Sequence, residues 1–254
     1  MRTIHLIGIG AGDPEQVTVQ AIKRLNEVDV FFLLDKGDTK KELIDVRRAI
    51  LERYVENSTY RVVQAIDSDR DRTPTDYVAT VAEWHQRRAD LYERMFRDEL
   101  GENETGGILC WGDPTLYDNT IAVVEQVRQR AHVAFDYSVV PGISSVSALA
   151  AAHRTSVNQI GKPVQITTGR RLAAEGLPDG VDDVIVMLDA HCAFSQLDDQ
   201  ELDIYWGAYL GSPDELTVAG PLAEVAGRIP ALRAEARERK GWIMDTYLLR
   251  RRKR

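Results

Sequence analysis

Three short glycine-containing loops carry the residues of this chain that could do chemistry. They read GIGAGDP at residues 8–14, WGDPTLYD at residues 111–118 and VVPGISS at residues 139–145, and each follows an apolar run. Glycine permits positive φ and lets a ligand approach the backbone closely. Because the carboxyl ends of parallel strands share one sheet edge, the three loops predict a common ligand site.

The aspartates of the first two loops limit what that ligand can be. The first loop is similar to the dinucleotide fingerprint GxGxxG, with Asp35 as a candidate ribose-binding acid, but Asp13 and Pro14 stand where the third glycine and its successor belong. A carboxylate there would repel a pyrophosphate, whereas Asp13 and Asp113 suit a ligand with cationic groups, such as the sulfonium and ammonium of S-adenosylmethionine. Two alternatives stay open: a nicotinamide-dependent oxidoreductase, and aspartates that cap their own turns.

The elements that must position these loops alternate between strand and helix, which predicts a mostly parallel, doubly wound sheet flanked by helices. Strands are predicted at residues 3–9, 29–34, 60–65, 107–111 and 135–140, and helices at residues 18–26, 42–54, 76–100, 119–130 and 144–152. Later strands, at residues 164–168, 183–188, 204–210, 216–219 and 242–249, follow one another more closely, with a helix at 231–239. We therefore predict an α/β protein with an N-terminal domain over residues 1–157 and a C-terminal mixed-sheet domain over residues 158–254. The boundary is expected in the polar stretch 154–163.

Composition excludes several classes of function. The net charge is −8, which is unlike a nucleic-acid-binding protein. No apolar run approaches the ~18 residues that a membrane span needs, and two cysteines make no disulfide framework, so a cytoplasmic setting is expected. No HExxH, CxxC or GxSxG motif is present, so neither a metal nor a dedicated nucleophile is predicted. The histidines are candidates by type alone, and the catalytic residue is left unassigned.

The three loops, in this order and spacing and with VTVQA after the first, resemble the tetrapyrrole methylase family. The segments GKPVQITTGRR, VIVMLDA, IYWGAYLGSPDE and GWIMDTYLLR, together with DVRRAIL and YVATVAEWH in a long middle insertion, resemble one branch of it that acts in cobalamin biosynthesis. Many members have proline where this chain has Ala11. The resemblance implies two α/β domains with the active cleft between them, and S-adenosylmethionine as cofactor; a homodimer is also expected.

The resemblance also implies cofactor contacts, carried over position by position. They fall on Ala11, Trp111, Gly112, Asp113, Leu116, Ser144, Ser145, Met187, Ala208 and Gly211. For Met187 the alternative is ordinary packing in the core.

The reaction implied by the resemblance methylates carbon 1 of precorrin-5 and releases acetate. A polycarboxylate substrate requires local positive charge, and Lys36, Arg170 and Arg171 are the candidates for binding it, with solvated surface charge as the alternative. The neighbouring pair Arg47 and Arg48 is predicted to lie on a solvated helix face. A neighbouring precorrin methyltransferase and a non-catalytic tetrapyrrole-binding protein remain alternative functions.

Overall fold

The computed structural model describes residues 1–35, 41–57, 59–67, 77–197 and 201–252. It divides into two compact units: unit 1 comprises Met1–Gly10 and Pro14–Ile143, and unit 2 comprises Ala11–Asp13 and Ser144–Arg254. Each unit contains a sheet and helices, so the predicted α/β class is confirmed.

Unit 1 is built on a parallel sheet. Its strands are β1 (Arg2–Gly8), β2 (Val30–Asp35), β3 (Arg61–Ile66), β4 (Thr105–Cys110) and β5 (Phe135–Val140). They lie in the order β3-β2-β4-β1-β5, and every neighbouring pair is parallel. β1 is buried on both faces, as a central parallel strand should be, whereas β3 lies at the edge and is largely exposed.

Helices cover both faces of this sheet. They are α1 (Val19–Leu25), α2 (Lys41–Tyr54), α3 (Tyr77–Glu99) and α4 (Thr120–Arg130). α1 and α2 pack on the face that carries Ile7 and Phe31, and α3 and α4 pack on the face that carries Leu6 and Phe32. Burial of such a side chain contributes about 1.5–3 kcal/mol, so neighbouring residues of β1 hold helices on opposite faces.

The sheet of unit 1 opens between β2 and β4 at its carboxyl edge. β2 pairs with β4 through residues 30–32, whereas its pairing with β3 continues as far as Asp35 and Ile66. The helix after β2 packs on one face of the sheet, and the helix after β4 packs on the other. Such a reversal creates a crevice outside the carboxyl ends of the strands, which is where open α/β sheets bind ligands.

Unit 2 has a mixed sheet, as predicted. Its elements are α5 (Ser145–Ala152), β6 (Val164–Thr168), α6 (Gly169–Glu175), β7 (Asp183–Met187), β8 (Leu202–Ala208), β9 (Leu216–Pro221), α7 (Leu222–Val225), α8 (Arg228–Lys240) and β10 (Asp245–Arg251). The strand order is β6-β7-β10-β8-β9, in which β6 and β7 are parallel and the other pairs are antiparallel. One face carries a core around Trp206 and Tyr247, to which α7 and α8 contribute Leu222 and Ile229.

The opposite face of this sheet is covered by α5, which packs against β8 and β10. The division between the units therefore lies before α5, whereas the predicted boundary lies after it, between residues 157 and 158. The polar stretch that suggested a linker is held on unit 2 by hydrogen bonds. The backbone N–H of Gln159 donates to Asp183 Oδ2 at 2.8 Å, and Arg250 donates to Thr155 Oγ1 at 2.9 Å and to the Ser156 carbonyl at 2.8 Å.

Some boundaries in unit 2 differ from the prediction. The short helices α6 and α7 were not predicted. β8 ends at Ala208, earlier than predicted, because Tyr209 adopts a left-handed φ of 50°. β10 begins at Asp245 rather than at residue 242, since α8 ends at a left-handed Gly241 and the chain must turn before it can pair.

Candidate functional site

The three glycine loops of unit 1 follow adjacent strands at one sheet edge. β1 lies between β4 and β5, so the loops that leave these strands begin side by side. An isolated bridge joins the first two: Gly112 N donates to the Gly10 carbonyl at 2.8 Å, and Gly10 N donates to the Gly112 carbonyl at 3.3 Å. Gly10 and Gly112 have φ of 84° and 68°, which favours glycine at both positions.

The third loop joins the other two through backbone contact. A Cβ added at Gly8 would lie 2.6 Å from Gly142 N, and a Cβ added at Gly142 would overlap the Gly112 carbonyl oxygen. The sequence interpretation assigned these glycines to close approach of a ligand. The structure adds a second reason, because the loops pack on one another where a side chain would not fit.

Asp113 caps its own turn. Its Oδ1 accepts a hydrogen bond from Thr115 N at 3.0 Å, and its carbonyl accepts one from Leu116 N at 3.2 Å. The alternative raised from the sequence is therefore observed for this residue, while Oδ2 takes no part in that hydrogen bond. Asp113, Leu116 and Trp111 are each half-buried, and Trp111 also packs against the core between α1, α2 and the sheet.

The predicted cofactor residues of unit 2 lie at the ends of its elements. Ser144 caps α5, with its Oγ accepting from Ser147 N at 3.4 Å, and Ser145 begins that helix. Met187 ends β7 and is half-buried, so it is not a fully buried core residue. Ala208 ends β8 and is completely buried.

The segment Ala11–Asp13 packs within unit 2 on the loop that follows β8. A Cβ added at Gly12 would lie 2.7 Å from the Leu210 carbonyl oxygen and 3.2 Å from Ser212 N. In that loop Gly211 has φ of 77°, and its amide donates to Glu215 Oε2 at 2.8 Å. The structure therefore brings Gly12, next to the predicted contact Ala11, against the segment that holds Gly211.

The predicted substrate residues are not gathered into one site by the described structure. Lys36 lies outside the described residues. Arg170 and Arg171 are exposed on the first turn of α6, and Arg171 forms an ion pair with Glu175 at 3.1 Å on the same helix.

Several histidines have structural partners. His5 is buried in β1, with Nδ1 at 2.7 Å from Ser138 Oγ, and burial lowers the pKa of its imidazole. His153 Nε2 lies 2.9 Å from the Trp206 carbonyl oxygen, and His132 Nδ1 lies 2.9 Å from Glu93 Oε1. In the described parts of the chain, no group of three or more His, Cys, Asp and Glu side chains is arranged to hold a metal ion. None of the described helices is long and apolar enough to cross a membrane.

Sequence reasoning missed a group of half-buried and buried polar residues at the opening between β2 and β4. The prediction that Arg47 lies on a solvated helix face is wrong: its Nε donates to the Leu109 carbonyl at 3.1 Å, and burial lowers the pKa of its guanidinium. Arg88 and Asp67 are also buried there. The available signal was the pair of motifs DVRRAIL and YVATVAEWH, since Arg47 lies in the first and Arg88 lies one helical turn after Trp84 of the second.

The parallel sheet with its three glycine loops defines an α/β protein, and the sequence profile of one family fits the chain. Residues 3–226 match the tetrapyrrole (corrin/porphyrin) methylases. The chain belongs to this family of S-adenosylmethionine-dependent methyltransferases.

Individual relatives are close in sequence and in structure. A Sinorhizobium sp protein named precorrin-6A synthase (deacetylating) is 51% identical over 250 residues, which cover 98% of this chain and 95% of that protein. The crystal structure of a cobalamin synthesis related protein from Corynebacterium diphtheriae has a TM-score of 0.84 at 33% identity and covers 100% of both chains. Uroporphyrin-III C-methyltransferase from Thermus thermophilus, complexed with S-adenosylhomocysteine, shares the fold at 19% identity, with a TM-score of 0.58 over 97% of this chain and 91% of its own.

Proposed function

We propose that this chain is a methyltransferase of cobalamin biosynthesis that uses S-adenosylmethionine to methylate carbon 1 of precorrin-5, with release of acetate, giving precorrin-6A. The observation that carries the proposal is the 51% identity to the Sinorhizobium precorrin-6A synthase over 98% of this chain. The match extends over nearly the whole length, so it spans both the glycine loops and the middle insertion.

The cofactor residues predicted from the sequence are part of the proposal. Bound S-adenosylmethionine supplies an electrophilic methyl group. The chain fits this cofactor in two respects: the glycine loops joined by the Gly10–Gly112 bridge lie at the carboxyl edge of the sheet, and Asp113 keeps Oδ2 outside its turn hydrogen bond. We expect contacts from Ala11, Trp111, Gly112, Asp113, Leu116, Ser144, Ser145, Met187, Ala208 and Gly211. Their role is to bind and orient the cofactor so that the methyl group and the ring carbon meet in line, away from water.

The test has a binding step and a turnover step. Calorimetry should give binding of S-adenosylmethionine in the micromolar range and a rise in thermal stability by mass action. Incubation with precorrin-5 and methyl-labelled S-adenosylmethionine should give one acetate for each methyl group transferred, measured by mass spectrometry of the product and by acetate assay.

Other outcomes point to other functions. Methyl transfer without acetate would favour a neighbouring precorrin methyltransferase, and NAD binding without S-adenosylmethionine binding would favour an oxidoreductase. A bound tetrapyrrole with no consumption of the methyl donor would favour a binding protein. The homodimer and the cytoplasmic setting stay predictions; light scattering on the purified chain checks the first, and cell fractionation checks the second.

A further inference from the structure

The opening between β2 and β4 is occupied by the side chain of Arg47, which reaches it from α2. Nε of Arg47 donates to the Leu109 carbonyl at 3.1 Å, and Nη1 donates to the Leu43 carbonyl at 2.7 Å. Leu109 lies just beyond the last residue of β4 that pairs with β2, so its carbonyl is available. These two hydrogen bonds hold the guanidinium and do not use Nη2. The two carbonyl partners are uncharged, so the positive charge of Arg47 is not neutralised by them and can attract an anion.

A second arginine, Arg88, lies beside Asp67, whose backbone N–H donates to the Asp35 carbonyl at 2.7 Å at the carboxyl end of β2, one of the two strands that flank the opening. The side chains of Arg88 and Asp67 are 9% and 4% exposed, and Arg88 Nε lies 3.6 Å from Asp67 Oδ1, too far for a hydrogen bond. Within the described part of the chain, neither of these two atoms has a hydrogen-bond partner. Buried polar atoms are nearly always hydrogen-bonded, so Arg88 Nε requires a further acceptor.

The other buried arginine pairs differ from this one. Arg233 Nε lies 3.0 Å from Asp245 Oδ2, and Arg250 Nε lies 2.5 Å from Asp183 Oδ1. The guanidinium of Arg88 is instead oriented by aromatic rings, with its carbon 4.8 Å from the centre of the Trp84 ring and 5.9 Å from that of Tyr92. A cation–π contact uses the face of the guanidinium and not its N–H groups, which a planar, bidentate partner can engage.

The two arginines act on each other electrostatically. Burial is the main cause that lowers the pKa of the Arg47 guanidinium, and the positive charge of Arg88 lowers it a little further. The neighbouring Cys110 and Tyr92 are uncharged, since burial raises the pKa of the thiol to about 12 and raises that of the phenol as well. Asp118, in the loop after β4, accepts a hydrogen bond from Thr120 N at 2.7 Å.

We propose that Arg47 and Arg88 form a carboxylate-binding site, here called the arginine site, that binds an acidic side chain of the tetrapyrrole substrate. The proposal rests on the proposed function and names the residues that recognise that substrate. A carboxylate of the substrate accepts from the N–H edge of Arg88, whose Nε has no hydrogen-bond partner among the described residues, and from Nη2 of Arg47. Arg47 and Trp84 belong to the insertion motifs, so the site gives those motifs a role in choosing the substrate.

The test uses uroporphyrin III, a stable polycarboxylate tetrapyrrole, as a fluorescent probe of binding to the full chain. Arg88→Met and Arg47→Met should each raise its dissociation constant tenfold or more. Arg88→Lys should raise it by a smaller factor, because an ammonium keeps the charge and loses the bidentate fork. The affinity for S-adenosylmethionine and the far-UV circular dichroism spectrum should stay unchanged in Arg88→Lys. This variant therefore still tests the site if a methionine variant folds poorly.

Adjacent arginines provide matched controls. Arg48 is exposed and donates to Gln64 at 3.2 Å, and Arg87 is an exposed residue whose guanidinium lies 3.8 Å from Glu83. Arg48→Met and Arg87→Met should bind uroporphyrin III as the wild-type chain does. Asp67→Asn separates binding from structure: it should lower the unfolding temperature and leave probe binding unchanged or tighter, because a competing carboxylate has been removed.

Three results would overturn the arginine site. The first is wild-type probe affinity in Arg88→Met or absence of probe binding by the wild-type chain. The second is a loss in Asp67→Asn equal to that in Arg88→Met, which would mark the pair as structural. The third is tight binding of acetate alone in place of the probe, which would assign the site to the released acid. The assay of methyl transfer with acetate release judges the proposed function separately, since it can succeed while these tests fail.

Discussion

Gly10 and Gly112 are joined backbone to backbone at the carboxyl edge of the parallel sheet, with Gly112 N donating to the Gly10 carbonyl at 2.8 Å. This bridge connects the loop that leaves β1 to the loop that leaves β4. The Gly112 carbonyl oxygen also lies where a Cβ at Gly142 would be, so the loop after β5 is part of the same assembly. A substitution that moves the backbone of one loop should therefore also move the backbones of the other two.

Gly142→Ala should lower both stability and cofactor affinity. The added Cβ overlaps the Gly112 carbonyl oxygen and lies 2.9 Å from Gly8 Cα. Both are backbone atoms, so no side-chain rotation can relieve the overlap. Overpacking of this kind costs about 1–3 kcal/mol in the free energy of unfolding. Urea denaturation and calorimetry with S-adenosylmethionine measure the two effects. Gly227→Ala is the control, since an added Cβ there meets nothing within 4 Å, and equal behaviour of the two variants would contradict the packing argument.

Asp113→Asn removes the negative charge of this side chain and keeps the oxygen that caps the turn. The amide oxygen of asparagine can still accept from Thr115 N, so the urea midpoint should not move. If the carboxylate binds the cofactor, the affinity of the variant for S-adenosylmethionine should fall about tenfold, the equivalent of ~1.4 kcal/mol. Asp118→Asn is the control, because Asp118 makes a similar hydrogen bond to Thr120 N in the same loop. Unchanged affinity in Asp113→Asn would leave Asp113 as a turn residue alone.

Arg250→Met should strongly destabilise unit 2. Arg250 is the ion-pair partner of Asp183, which is completely buried, and its removal leaves that carboxylate uncompensated. Breaking a buried pair in this way costs roughly 3–5 kcal/mol. Arg171→Met removes an exposed pair with Glu175 and should change the free energy of unfolding by less than about 1 kcal/mol. Similar urea curves for the two variants would show that Asp183 finds another partner.

In Glu125→Gln, the free energy of unfolding should fall less as the pH is lowered than it does in the wild-type chain. Hydrogen bonds from Arg128, Gln129 and Tyr137 lower the pKa of Glu125 from 4.5 to about 2 in the folded chain. A carboxyl whose pKa is lower when folded stabilises the protein above its unfolded pKa, and this contribution is lost as pH falls through the folded pKa. Between pH 4.5 and about 2, the urea midpoint should therefore fall less steeply in Glu125→Gln than in the wild-type chain. Parallel slopes would mean that this carboxyl is not coupled to folding.

Arg170→Lys, Arg171→Met and Lys36→Met test the substrate contacts predicted from the sequence. A charge-assisted hydrogen bond away from water is worth roughly 1.5–3 kcal/mol, so the loss of a true contact should raise KM for precorrin-5 about tenfold or more. S-adenosylmethionine affinity should not change in any of the three. Wild-type constants throughout would make these residues ordinary surface charges and would leave recognition of the substrate to the arginine site.

The sequence by itself determined the class of the fold and the family. Strand and helix patterns alternate along the first half, and local hydrophobic periodicity is sufficient to read such elements because each pattern lies within one segment. The glycine loops and the C-terminal motifs carried the family resemblance for the same reason. The boundaries in unit 2 were less certain, since a left-handed Tyr209 and hydrogen bonds on the polar stretch after α5 leave no periodic signal.

Only the tertiary structure decided how distant residues act together. Periodicity placed Arg47 on the polar side of a helix, but a long side chain can reach past that surface, and here it reaches the Leu109 carbonyl where β2 and β4 separate. Asp67 and Arg88 meet because a strand end and a helix pack together, and no local pattern encodes such a pair. The contact of Gly142 with the Gly112 carbonyl likewise depends on strand order, which places β1 between β4 and β5.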